Sequence, residues 1–327
     1  MRCSRGEMTL SAAAHSTTPF DRLMAALRKL EWAVLILALW PCASLLAQDY
    51  EIRLHRPQVV GQKYRLSATG RSARTQVVKS GDKILRNDSA KFAVEFEGAV
   101  TVLAVDDRGK PSKLSLEIEK LSRTDDAGSK ELVSKGSVVT VSMKDGAEVS
   151  ETDGHLLSQP TQEAITVILP LYPPNGPTAD ELFGTNERKK PGDHWDANTE
   201  MAKDILRLGA TARKEDLSGT VTFEKVVKVG KTECLQISGS MDCSRYVPDV
   251  PRGMKAEKGI LKIGFSEKLP VAASMPALEL TQSSNVSYTM KGRPDPTGDE
   301  MTIDVGGVQT SLSRVTDVQE PAEAAPK

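Results

Sequence analysis

From Tyr50 onward, apolar and polar residues take turns. Tyr50, Ile52 and Leu54 alternate with Glu51, Arg53 and His55; Phe92, Val94 and Phe96 with Ala93, Glu95 and Glu97; Leu114, Leu116 and Ile118 with Ser115, Glu117 and Glu119. Side chains on an extended chain point alternately to its two sides, so this period gathers the apolar groups on one face. Parallel sheets are covered on both faces and read as continuous apolar runs, so the pattern predicts mainly β structure, antiparallel, with one face buried. Outer-membrane barrels alternate too, but they turn the apolar face to lipid and carry aromatic girdles. Aromatic residues make up 4% of this chain and the alternating runs do not end in them, which points to a soluble sheet.

Turn residues fall where a meander needs them. Asp107-Arg108-Gly109-Lys110 separates TVLAV from LSLEI, Asp145-Gly146 separates VVTVSM from AEVSE, and Gly230-Lys231 separates FEKVVKV from ECLQI. Strands adjacent in sequence are therefore expected to pair, in a curved sheet or half-barrel. PQVVGQKYRLS (57–67) and KPGDHWDAN (190–198) share a Pro and a Gly just ahead of an aromatic and a new strand, which suggests two β-meander lobes related by an internal duplication.

The pattern divides the chain into an N-terminal extension with an export signal (1–48), a first β-rich lobe (49–157), a bridge (158–191), a second lobe (192–316) and a disordered tail (317–327). In the bridge, Ser158 and Pro160 open a helix of about ten residues that carries Ala164, Ile165, Ile168 and Leu169 on one side and stops at Pro170. A single helical turn in PTADELFG closes at Gly184. In the second lobe, TEMAKDILRLG predicts a short amphipathic helix with Met201, Ile205 and Leu208 on one stripe.

Residues Trp32 to Gln48 (WAVLILALWPCASLLAQ) carry no charge and follow Arg28 and Lys29. A positive flank, an apolar core and small residues near a cut are the parts of a secretory signal, with cleavage expected after Ala47 or Gln48. Translation from Met24 would give that signal a conventional length. A retained membrane anchor and a lipoprotein signal at Cys42 are the competing readings; the first is at the short limit for a span and holds Pro41. The expected location is periplasmic or extracellular, with membrane contact only through this segment.

Little in the mature chain points to chemistry. Cys234 and Cys243 are its only cysteines, and in an oxidising compartment they are disulfide candidates if Ser238-Gly239-Ser240 forms a turn. On an unbroken strand, positions nine apart face opposite ways and the thiols stay free. Asp193-His194-Trp195-Asp196 could be drawn as an acid/base pair, but neighbours on a strand point apart, and a turn running into an edge strand with Trp195 inward is the simpler expectation. Asp106-Asp107 and Asp125-Asp126 lack the spacing of a calcium loop and read as surface turns. No nucleophile elbow, phosphate loop or dinucleotide fingerprint is present. With 43 Lys/Arg against 44 Asp/Glu, no basic field suggests nucleic acid. No catalytic, cofactor or metal residues are assigned.

The mature start DYEIRLHRPQVVGQKYRLS, the hairpin GAVTVLAVDDRGKPSKLSLEIEKL and the later PGDHWD resemble uncharacterised secreted β-rich proteins of Planctomycetes- and Verrucomicrobia-type bacteria. The resemblance implies a bacterial exported protein and carries over no functional residues. The residues themselves suggest a non-enzymatic envelope protein that binds or carries a hydrophobic, lipid-like small molecule. A structural or protein-interaction module of the envelope is the alternative, and a hydrolase with a scattered site a third.

Overall fold

A computed structural model describes residues 48–174, 176–205, 214–248, 250–295 and 297–319. Its strands are β1 (Lys63–Ser80), β2 (Lys83–Val105), β3 (Pro111–Asp125), β4 (Gly128–Glu131), β5 (Val138–Lys144), β6 (Ala147–Thr152), β7 (His155–Leu156), β8 (His194–Asp196), β9 (Leu217–Val229), β10 (Thr232–Cys243), β11 (Met254–Pro270), β12 (Glu279–Gly292) and β13 (Met301–Gln319). Helices α1 (Gln159–Ile168), α2 (Ala179–Phe183) and α3 (Thr199–Ile205) interrupt them between β7 and β9. The strands form one antiparallel sheet in the order β7-β6-β5-β3-β2-β1-β13-β12-β11-β10-β9-β8, with β4 beside β3; the end strands do not meet, so the sheet is open.

The chain therefore enters mid-sheet, walks out to one edge through β7, crosses over the helices, and walks back from β8 to β13. The β1–β13 pairing, from Lys63↔Gln319 to Ser80↔Met301, fuses the two halves into a single ladder. β13 continues through Gln319, three residues into the segment read from sequence as tail, because it pairs with the start of β1. Residues 206–213, which include the last four of the expected helix TEMAKDILRLG, and 320–327 lie outside the described residues.

Both halves open with the same turn. Gln62 N–H donates to Val59 O (3.1 Å) and Asp193 N–H to Lys190 O (3.0 Å), around Gly61 (φ 87°) and Gly192 (φ 94°). Positive φ is cheap only for glycine, which fixes the residue at both places. Each glycine N–H then reaches a buried residue two strands along the walk, Val102 in β2 or Phe223 in β9, whose own N–H returns to Gln62 O or Asp193 O. The side chains of Gln62 and Asp193 also accept from the backbone N–H of Val59 and Lys190. Counting from these turns, β8 stands to the second half as β1 does to the first, and β13 as β7. The strands that meet at the joint are 18 and 19 residues long; their counterparts at the free edges have three and two.

One face of the sheet is covered and carries two separate large cores, with a small third cluster of Leu217 and Cys243 against Tyr246 and Leu261. In the first, Leu66, Val94, Phe96, Leu116 and Ile118 pack under Ala164, Ile165, Val167 and Ile168 of α1. The helix crosses at Gly70, where a Cβ would collide with the Val167 and Ile168 side chains. In the second, Val221, Phe223, Leu235, Ile237 and Leu269 are joined by Leu182 and Phe183 of α2, by Ala202 of α3, and by Tyr50, Ile52 and Leu54. Burying each of these larger side chains is worth about 1.5–3 kcal/mol.

That last group corrects the sequence expectation of a first strand at Tyr50–Leu54. The alternation is real, with Tyr50, Ile52 and Leu54 buried and Glu51 and Arg53 exposed, but only Tyr50 makes a bridge, to Lys189. The segment 49–58 is an extended strap lying on the second core and reaching to the first half. Its partners run from Arg188 and Lys189 through Asp180, Pro270 and Ala272 to Arg108 and Gly109.

Beyond the helices the central strands keep going. The outer parts of β1, β2, β12 and β13 form an arm that none of the described helices covers, and residues 69–93 are exposed or half-buried apart from Gly70.

Candidate functional site: the joint between the two cores

Cys234 and Cys243 both lie on β10, which runs unbroken from Thr232 to Cys243 and pairs with β9 and β11 on its two sides, so the turn a disulfide would need is absent. Nine strand positions separate the sulfurs by about 30 Å. Both thiols are free and buried, and burial pushes both pKa values up, which makes them inert. Gly239 is a glycine because the Phe265 ring lies where its Cβ would be, not because the chain turns. Gln48 is exposed at the start of the described residues; Ala47 and the export segment lie outside them.

The other polar groups singled out from sequence hold the fold together. Trp195 Nε1 donates to Phe183 O at 2.7 Å and its ring joins the second core, while His194 and Asp196 are exposed on β8. Asp106 accepts from the backbone N–H of Arg108 and Lys110 in a turn, Asp125 accepts from Ala127 N–H, and His55 Nε2 lies 2.7 Å from Arg108 O. Among the described residues no three His, Cys, Asp or Glu side chains come together to hold a metal, and no helix is long and apolar enough to cross a membrane.

What the topology does bring together lies between the cores, on strands β11 to β13. There the covered face carries Leu280, Gln282, Ser284, Ser311 and Ser313, half-buried and belonging to neither core. Tyr172, in the link from α1 to α2, stands over them: Gln282 Nε2 donates to its hydroxyl at 3.2 Å. Tyr172 as a whole residue is 54% exposed, while the protein around its hydroxyl raises the phenol, and the half-buried stretch of sheet it overhangs forms a shallow recess.

Ionisable groups close one end of this recess. Glu267 on β11 shares the covered face with Ile237 and Leu280, its partners on β10 and β12. Burial lifts its carboxyl to about 7, opposed by Arg56 and reinforced by Asp180. Arg56 donates to Pro270 O (2.9 Å) and Ala272 O (3.0 Å), while its Nε is buried with no acceptor. Burial pulls the guanidinium pKa down, against the pull of Glu267 and Asp180. Asp180 Oδ1 accepts Leu54 N–H at 2.7 Å and so pins the strap to α2. Glu148 edges the first core, taking Thr166 Oγ1–H (2.6 Å) and Leu171 N–H (2.7 Å), with its carboxyl raised by burial.

The recess opens along β12 and β13 onto the arm. Successive cross-strand rows on the covered face there are Arg74, Gly307, Val286, Leu261; then Gln76, Val305, Tyr288, Gly259; then Val78, Ile303, Met290, Ala256. The result is an apolar strip centred on β12 and β13, half-buried apart from buried Met290, with polar Arg74 and Gln76 along one side and Tyr246, paired with Tyr288 of β12 at 6.2 Å, along the other. Two further hollows, of about 360 Å³ and 400 Å³, are broad and of mixed lining, the first including Ala93, Val94 and Leu312. The first lies on the opposite face among Thr69, Arg71, Glu95 and Thr310, the second beside α2 among Asp180, Glu181, Asp196 and Asn198. Nothing in the sequence placed Arg56, Tyr172, Asp180, Glu267 and Gln282 together, since they are far apart in the chain and share no motif.

No family model matches the chain, and no curated protein matches it. Among solved structures it is similar to a chain from a study of lipid–protein interactions in lipovitellin, at 11% identity over 82% of this chain and 26% of that one, with a TM-score of 0.32. It thus spans about a quarter of that chain. An outer membrane channel from Pseudomonas putida F1 matches at 9% identity over 81% of this chain and 99% of the other, TM-score 0.19. The outer membrane protein OprG from Pseudomonas aeruginosa matches at 6% over 80% and 99%, TM-score 0.15. Likenesses this loose carry no argument about fold or ligand.

Proposed function

We propose that this is an exported, non-enzymatic binding protein that holds a hydrophobic, lipid-like small molecule along the joint between its two halves. The observation behind this reading is that the sheet outgrows its cover. Both cores are filled, with inward side chains such as Val100, Leu116, Phe223 and Ile237 fully buried, so neither core holds the ligand. The covered face continues past them as the apolar strip of Val286, Ile303 and Val305. That strip is narrow beside Arg74 and Gln76 and widens at the row of Val78, Ile303, Met290 and Ala256. An acyl chain fits along it between Arg74 and the tyrosine pair. Arg74 has no ion-pair partner among the described residues and offers an amphiphile's polar end a cation. Measuring binding of a fluorescent fatty acid tests the reading. Binding by the wild type that falls at least tenfold in Val305→Glu, with the fold intact by circular dichroism, is the expected result. No binding, or equal binding by both, overturns it.

The alternative, a protein-interaction module of the envelope, draws on the opposite face, where Thr75, Ser283, Ser287 and Thr310 present a plane of small polar side chains. A pull-down from envelope extract that recovers one partner in fixed ratio, with no lipid bound, would favour it.

A further inference from the structure

We propose that the strap 49–58 is a releasable cover over the second core, latched by the cluster of Arg56, Glu267 and Asp180. It stands apart from the ligand reading, because it concerns a cover and not the strip.

The strap is attached by side chains more than by backbone. Its ladder contact is the single bridge of Tyr50 with Lys189, 2.8 and 2.9 Å, beside the Asp49–Arg188 ion pair. After that its backbone is held at Leu54 by Asp180 and at Gln58 by Gly109. Segments with few backbone bonds open at lower free energy than ladders do. Beneath it, Val221, Phe223, Leu235 and Leu269 form an apolar bed filled by Tyr50, Ile52 and Leu54, with Tyr50 edge-on to Phe223 at 5.6 Å. Lifting the strap would bare this bed.

The latch is incompletely bonded. Arg56 Nε is a buried donor without an acceptor, and Glu267, half-buried on the covered face of β11, lies within electrostatic reach of Arg56. The charged and titratable groups facing Glu267 are Arg56 from the strap, Asp180 from α2 and Tyr172 from the α1–α2 link; β10 and β12 face it with Ile237 and Leu280. Burial outweighs Arg56, so the closed strap prefers Glu267 protonated, with its pKa near 7 against 4.5 in water. Opening the strap hydrates the carboxyl. The closed state is therefore fully favoured below about pH 4.5 and loses that advantage as pH rises to about 7, beyond which the effect is complete. Strap opening should rise by up to tenfold per pH unit across that window.

Hydrogen exchange of the hydrogen-bonded Leu54 and Gln58 amides in the full processed chain, corrected for intrinsic exchange and followed from pH 5 to 8, tests the proposal. The wild type should show opening that climbs and then levels near pH 7. Glu267→Gln should be flat and low throughout. Arg56→Gln, which removes the opposing charge, should carry the climb to higher pH, an effect that mere loosening would not produce. Equal pH profiles in wild type and Glu267→Gln, or strap exchange that tracks global unfolding, would overturn it.

Discussion

The two halves begin with the same turn, bond for bond, and then solve the problem of their apolar face differently. The first is roofed by α1, a ten-residue helix packed on β1, β2, β6 and β13. The second has only short helices and completes its roof with the strap, which arrives from the far end of the chain. A local roof belongs to the half it covers, whereas a borrowed one can leave without unfolding what lies under it.

Truncation in each roof separates these cases, and the largest effect belongs to the first half. Ile165→Ala, in α1 and fully buried, should cost about 2–5 kcal/mol and lower the denaturant midpoint of the whole protein. Ile52→Ala, nearly as buried, should cost somewhat less globally but raise exchange of the bonded Tyr50 and Leu54 amides well before the midpoint moves. If both truncations shift global stability alike and leave strap exchange unchanged, the roofs are equivalent and the contrast is lost.

A pH titration sharpens it further. Glu267 titrates near 7 in the fold and near 4.5 when hydrated, so stability present below pH 4.5 falls as pH rises to 7, by on the order of 1–3 kcal/mol. Comparing melts of wild type and Glu267→Gln from pH 5 to 8 isolates that part; a difference that does not vary with pH would contradict it.

The smallest effect tests the likeness of the openings. Gly61→Ala and Gly192→Ala each force a β-carbon into positive φ, at about 1–2 kcal/mol. Similar costs by chemical denaturation would confirm that the two turns carry similar load, and a large disparity would show that the shared bonds are not a shared role.

How far the sequence could be read depends on whether a face was covered. Alternation at Phe92–Phe96 and Leu114–Ile118 marked strands because α1 shields one side of them. Residues Ser72 to Lys91 are just as regular in β1 and β2, yet SARTQVVKSGDKILRNDSAK shows no alternation, since neither side of the arm meets a core. Period two at Tyr50–Leu54 reported an extended chain with one buried side, and nothing local distinguishes a laddered strand from a strap. Ser238-Gly239-Ser240 looked like a turn because the reason for Gly239, the ring of Phe265, lies on another strand. The turns at Gly109, Asp145-Gly146 and Gly230 were legible because their chemistry is local. The recess was not, because it is assembled from five distant segments.

The stub strands β7 and β8 have a consequence for the molecule's solubility. Each half advances across the sheet in the same direction, so the edge left by the first is of the kind that β1 could extend, and the edge at β8 of the kind that β13 could extend. An arrangement of that sort has no built-in stopping point and could polymerise head to tail. The outermost strands are only two and three residues long, so an incoming chain finds little backbone to grip on β7 or β8 themselves, which works against growth of a sheet with fibre-like logic.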